Sequence, residues 1–144
     1  MTPLTESPAA GSRTWTTLRE HATAAMEQAY APYSHFRVGA ALLCADGVVV
    51  SGCNVENASY PAGICAERAA VAAGVARGCR EFTALVIVTE AESPTPPCGI
   101  CRQVLVEFAP RLTVLSVTPS GEESQWSLTD LLPQAFTPTS LGRS

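Results

Sequence analysis

Cys65-Ala66-Glu67-Arg68 and Pro97-Cys98-Gly99-Ile100-Cys101 contain the residues best suited to chemistry. Cys65, Cys98 and Cys101 could offer three thiolates to one ion. Thiolates favour zinc over harder cations, and a zinc that works on a substrate keeps three protein ligands and an open fourth position. Glu67, two residues past Cys65, could ligate, cap a helix, or move protons beside the metal. A closed structural zinc needs a fourth ligand, usually from a second C-x₂₋₄-C pair, and Cys65 has no such neighbour. His21 and His35 lie far upstream of both segments. An open three-cysteine site is therefore expected, with one Zn²⁺ per chain.

Such a site has an electrostatic problem. Three thiolates give a zinc ion a net charge of −1, which makes it a poor Lewis acid. Cys65 and Cys98 each open a predicted helix, whose N-terminus carries about half a positive charge and lowers a thiol's pKa. Cys98 and Cys101, three residues apart, share one face of a first turn. Arg68, three residues after Cys65, is placed to hydrogen-bond the sulfurs and offset their charge, with Gln103 a weaker candidate for the same work.

The elements that must position these residues follow from periodicity. Leu18, Ala22, Ala25, Met26 and Ala29 recur at helical spacing, predicting a helix from Thr14 to Ala31 that Pro32 stops. His21 is expected on its solvated face. Val38 to Cys44 and Val48 to Gly52 read as strands joined by Asp46-Gly47, a hairpin turn pair. Asn54 to Tyr60 reads as a loop, Cys65 to Ala76 as a packed helix ending near Gly78, and Ala84 to Thr89 as a strand buried on both faces. A proline-bearing loop, Glu92 to Pro97, delivers Cys98 to a helix running to Phe108. Leu112 to Val117 reads as a strand and Ser127 to Leu132 as a short helix. This order predicts a mixed sheet with helices on both faces.

Composition narrows the function. With 144 residues, 47% hydrophobic and 15% charged, the chain suits one compact domain. Residues 1–13 read as a flexible arm, 14–137 as the domain and 138–144 as a tail. A net charge of −4 with nine Lys and Arg gives little for a phosphate backbone to grip, so no nucleic-acid partner is expected. No apolar run approaches a membrane span and the start lacks a signal-peptide core, so the expected address is cytoplasmic. That compartment disfavours disulfides among the six cysteines, and Cys44, Cys53 and Cys79 are expected to be structural thiols.

The motifs resemble a known family. Tyr33-Ser34-His35-Phe36-Arg37-Val38-Gly39-Ala40-Ala41, Gly52-Cys53-Asn54-Val55-Glu56-Asn57-Ala58-Ser59-Tyr60, the two cysteine segments extended through Arg102-Gln103, and Leu131-Leu132-Pro133-Gln134-Ala135-Phe136 together resemble the cytidine deaminases of the small, three-cysteine class. A metal ligand, a glutamate two residues on and a later P-C-x-x-C is the zinc deaminase layout, in which the glutamate is an acid and base and not a ligand. The resemblance implies a cytidine deaminase-like fold, a three-layer α/β/α sandwich with a mixed central sheet and a further short strand near Glu122 to Trp126. It implies hydrolytic deamination of cytidine and deoxycytidine to uridine and deoxyuridine in pyrimidine salvage. Glu67 would protonate the pyrimidine N3 and the departing amine.

The resemblance also assigns substrate contacts. Phe36 would stack on the base, Asn54 and Glu56 would bind the ribose hydroxyl, and Ala66 would meet the pyrimidine edge through its backbone. Ala58 joins this substrate-binding set, and Arg68 takes the sulfur-binding role. A carboxylate at Glu56 accepts from a sugar hydroxyl and repels a phosphate, which favours a free nucleoside. Tyr60 and Phe136 match positions that complete a neighbouring subunit's site, implying a homotetramer. Pro96 stands where this family often has serine before Pro-Cys, a change confined to the loop. The rivals are a deaminase of a cytosine-bearing antibiotic such as blasticidin S, a polynucleotide editor, and a non-catalytic zinc-binding module.

Overall fold

The protein is described here by a computed structural model covering residues 6–143. Five strands form one sheet in the order β2-β1-β3-β4-β5. They are β1 (Val38–Cys44), β2 (Val49–Cys53), β3 (Phe82–Thr89), β4 (Thr113–Val117) and β5 (Glu123–Ser127). β3 and β4 are parallel and the other neighbouring pairs antiparallel, so the sheet is mixed. The expected short strand before the last helix is β5. Helices α1 (Arg13–Glu27), α2 (Ala66–Ala76), α3 (Gly99–Phe108) and α4 (Leu128–Leu131) complete the fold.

Alternation along the strands divides the core in two. Ala41, Leu43, Ala84, Val86, Val88, Leu115 and Val117 face α1, which buries Trp15, Leu18, Ala22 and Met26 against them. Ala40, Leu42, Leu85, Ile87 and Val114 face the other way, under Ala66, Ala70 and Val71 of α2 and Leu105 and Val106 of α3. The result is the expected α/β/α sandwich. β3 is buried along its whole length, as its unbroken apolar run predicts for a central strand.

Connectivity fixes where the chemistry sits. β2 and β3 both run antiparallel to β1, so they run parallel to each other. α2 crosses from β2 to β3 and α3 from β3 to β4. Both helices therefore start at one end of the sheet, beyond the C-terminal ends of parallel strands, where ligands of α/β sheets bind. The first residues of β1 lie at that end too, because Val38 pairs with Thr89 and Gly39 with Cys53. Gly52 lets α2 press onto β2: a Cβ there would stand 2.5 Å from Ala70 N and 2.8 Å from Ala66 O.

Two expectations are corrected. α1 ends at Glu27, ahead of the expected Ala31, because Tyr30 leaves the helix to pair with the 54–56 loop. Its N–H donates to Asn54 O at 3.0 Å and its carbonyl accepts from Glu56 N at 2.9 Å. Cys44 and Cys79, expected as free thiols, are joined in a disulfide across a Cα–Cα distance of 6.1 Å. The end of β1 and the turn after α2 bring two buried side chains together at a span that a disulfide can bridge. Within the segment read as a flexible arm, Ser7 Oγ donates to Thr83 O at 3.0 Å and lies 2.6 Å from Thr113 Oγ1. Trp15 Nε1 also donates to Pro8 O at 3.2 Å. Residues 1–5 of that segment and Ser144 of the tail lie outside the described residues. Among the described residues no helix is long and apolar enough to cross a membrane.

Candidate active site

Cys65 and Cys98 are the N-cap residues of α2 and α3, and Cys101 lies in the first turn of α3. The three sulfurs all lie within 4.8 Å of one another, with Cys65 Sγ 3.8 Å from Cys98 Sγ. Tetrahedral zinc with Zn–S bonds of about 2.3 Å holds its sulfurs roughly 3.8 Å apart. The donor set and its spacing therefore fit zinc. Cys101 is buried, Cys65 half-buried and Cys98 exposed.

Electrostatics at the cluster favour thiolate at Cys65. Cys65 is lowered to about 5, first by the hydrogen bond with Cys101, then by Arg68 and Cys98, with burial opposing. The Cys101 thiol is pushed up, chiefly because its proton is held in that bond with Cys65 and also by burial. Arg68 Nη2 donates to Cys65 Sγ at 3.7 Å. Its Nε is buried and has no hydrogen-bond partner, a further donor available beside the cluster. Contact with Cys65 first, and with Cys101, strengthens the guanidinium's hold on its proton.

Glu67 is 5% exposed. Burial raises its pKa above the ordinary carboxyl value, and the negative charge of Cys65 adds to the rise. A carboxyl in that state releases and recovers protons nearer neutral pH than a surface glutamate does.

A cleft of about 230 Å³ opens over the cluster, lined by Cys65, Ala66, Glu67 and Cys98 on one side and by Phe36, Asn54 and Glu56 on another. Ser34, Val38, Ile87, Thr89, Thr95 and Pro96 form the rest of the wall. Asn54 is spent largely on the fold: its Oδ1 accepts from Val38 N and its Nδ2 donates to Phe36 O, both at 2.8 Å. It clamps the turn that presents Phe36. Glu56 Oε1 accepts from the N–H groups of Tyr33 and Ser34 at 3.0 and 3.1 Å, and Oε2 from Ser34 Oγ. These bonds hold its carboxyl below the ordinary range, the Ser34 hydroxyl contributing most.

The remaining sequence candidates stand outside this cleft. Ala58 and Tyr60 are exposed, and Tyr60 lines an adjoining hollow with Tyr33, Ser34 and Glu56. Phe136 is 59% exposed. Gln103 Nε2 donates to Phe136 O at 2.8 Å, so this side chain braces the C-terminal segment, not a sulfur.

Two residues passed over in the sequence do support the site. Ser34 holds Glu56, as above. Arg102 Nε donates to Pro97 O and its Nη1 to Leu131 O, both at 2.8 Å, fixing the residue before Cys98. Nothing in a lone serine or arginine announces such a bond. The nearest signal is that both lie inside the motif segments.

Known proteins supply an independent comparison. A family described as "Cytidine and deoxycytidylate deaminase zinc-binding region" matches residues 13–117. A cytidine deaminase of Sporosarcina psychrophila is 47% identical over 113 residues, 78% of this chain and 83% of that protein. The crystal structure of a cytidine deaminase from Burkholderia pseudomallei superposes with a TM-score of 0.81 at 50% identity, covering 84% of this chain and 98% of that one. A blasticidin-S deaminase of Bacillus cereus is 28% identical over 128 residues, 83% of this chain and 90% of that protein. The chain thus belongs to the cytidine and deoxycytidylate deaminase family.

Proposed function

We propose that the protein hydrolytically deaminates cytidine and deoxycytidine, giving uridine or deoxyuridine and ammonia. The observation that carries this is a buried carboxyl, Glu67, in a cleft walled by Phe36 and by Cys65 and Cys98, which cluster with the buried Cys101. A zinc ion held by these cysteines would supply a water acidic enough to attack C4 near neutral pH.

Every other task falls to this chain's own residues. Glu67 takes up the proton released as water adds, and delivers it to the pyrimidine N3. It then carries the second proton to the amine leaving C4, so that base plus water become the carbonyl product plus ammonia. Arg68 offsets the negative charge of the sulfurs and Phe36 stacks on the base. Glu56, with Asn54 behind it, takes the sugar hydroxyl, and Ala66 meets the pyrimidine edge through its backbone. The carboxylate of Glu56 disfavours a 5′-phosphate and so a nucleotide substrate.

The protein is read as a homotetramer in which Ala58, Tyr60 and Phe136 help complete neighbouring sites. Support comes from Tyr33, Phe36, Tyr60 and Phe136, aromatic side chains left 36–75% exposed in the single chain. A role in pyrimidine salvage in the cytoplasm is the reading that a free nucleoside substrate supports.

The test is ammonia release from cytidine with zinc assayed on the same sample. Turnover with about one zinc per chain supports the reading. Zinc without turnover on cytidine, but with turnover on blasticidin S, would transfer the site to the antibiotic.

A further inference from the structure

Cys98 reaches the cluster at the end of a strap, residues 90–97, that has no regular structure. Because Cys98 is exposed, its place depends on the chain on either side of it, α3 after it and the strap before it. From 94 to 97 the strap reads Pro-Thr-Pro-Pro. Proline carries no N–H, so Thr95 supplies the one backbone donor of that stretch. It is given to Ser116 Oγ at 2.9 Å.

Ser116 is an odd residue for its place. It lies in β4 opposite Ile87, fully buried, and alternation turns it toward the apolar layer under α2 and α3. A hydroxyl there costs stability unless it is hydrogen-bonded. Its bond to the strap meets that need. Thr95 Oγ1 adds a contact at 3.4 Å to Thr89 Oγ1, on the last residue of β3. On the other side of the strap, Arg102 bridges Pro97 O to Leu131 O.

We infer that Ser116 is a positioning residue for the metal site: by taking the single backbone donor of residues 94–97 it sets where Cys98 delivers its sulfur, with Arg102 as a second clamp. The inference rests on the zinc reading above and extends it to side chains that touch neither ion nor substrate. Loss of a clamp frees Cys98 to leave the ion while Cys65 and Cys101 stay in place. Zinc then escapes faster, although the fold remains.

The experiment follows zinc transfer from the loaded full-length protein to a chromophoric chelator, beside the visible spectrum of the cobalt-loaded protein. Ser116→Ala is expected to release zinc about tenfold faster and to weaken the cobalt–thiolate bands. Val117→Ala, on the same strand but facing α1, loosens the core without touching the strap and is expected to release zinc at the parent rate. Unchanged release in Ser116→Ala, or equal acceleration in Val117→Ala, overturns the inference. Should Ser116→Ala fail to fold, Thr95→Pro removes the donor side of the same bond, and an unchanged rate there is equally fatal. A parent protein that holds zinc yet leaves cytidine intact would defeat the proposed function alone, whereas one that takes up no zinc would defeat both.

Discussion

Glu67 and Glu56 show how one side-chain type is tuned in opposite directions within a single cleft. Burial beside Cys65 raises Glu67, suiting it to exchange protons; hydrogen bonds from Ser34 and Tyr33 lower Glu56, suiting it to remain an acceptor. Replacing Glu67 with glutamine keeps the volume and removes proton exchange. Glu67→Gln is therefore expected to keep fold and zinc while turnover falls by about 10³-fold, within the usual range for losing an acid–base group. Ammonia release and zinc content on one sample check this, and unchanged turnover would sink the mechanism. For Glu56 the sign follows from its lowered pKa: the carboxylate stays ionised as pH falls through the ordinary range near 4.3, so KM for cytidine should stay flat until below it. Ser34→Ala removes the largest cause of the lowering, so the acid rise in KM should begin at higher pH. Superimposable KM profiles for the two proteins would show that Ser34 does not set this carboxylate.

At the scale of elements, the decisive feature is that α2 and α3 begin at the same end of the sheet. Much of this was legible. The apolar run of β3, the alanine-rich α2 and the two cysteine segments are local signals, their order implied helices on both faces of the sheet, and the resemblance supplied β5. Long-range pairings left no such trace: the bond from Thr95 to Ser116 spans 21 residues and the disulfide 35. The early end of α1 was hidden for the same reason, because Tyr30 is drawn away by a loop beyond β2. Gly52 tests the element scale directly. Its missing Cβ is what lets the start of α2 approach β2, with the Ala70 N–H and the Ala66 carbonyl in the way of any substituent. Since both obstacles are backbone, relief requires α2 to move, and α2 carries Cys65 at its cap. Gly52→Ala is expected to lose about 2 kcal/mol or more of stability, as overpacking does, and to lose zinc with it. A denaturant midpoint and zinc content equal to the parent's would show that the helix has room.

For the whole molecule, the cysteines and the aromatics divide their work by location. The disulfide joins the far end of β1 to the turn after α2, whereas the three candidate ligands lie at the end where β1 begins. Oxidation of Cys44 and Cys79 thus consumes none of the thiols the cleft needs. The aromatics pose the opposite problem, since one chain leaves them uncovered. Phe136 is held through its carbonyl by Gln103 while its ring stands 59% exposed, outside the wall of its own cleft. In the proposed tetramer that ring completes a neighbour's site. Phe136→Ala should then retain zinc and lower kcat/KM by roughly tenfold, the worth of about one aromatic contact. Complementation decides whether the ring acts across chains. A Phe136→Ala chain keeps a working Glu67, and a Glu67→Gln chain keeps a working Phe136. Co-expressed, the two can assemble sites that take Glu67 from one and the ring from the other. Activity of the mixed assembly above the sum of the separate variants is expected. An activity no greater than that sum would mean that Phe136 serves only its own chain, and would remove the main functional reason for assembly.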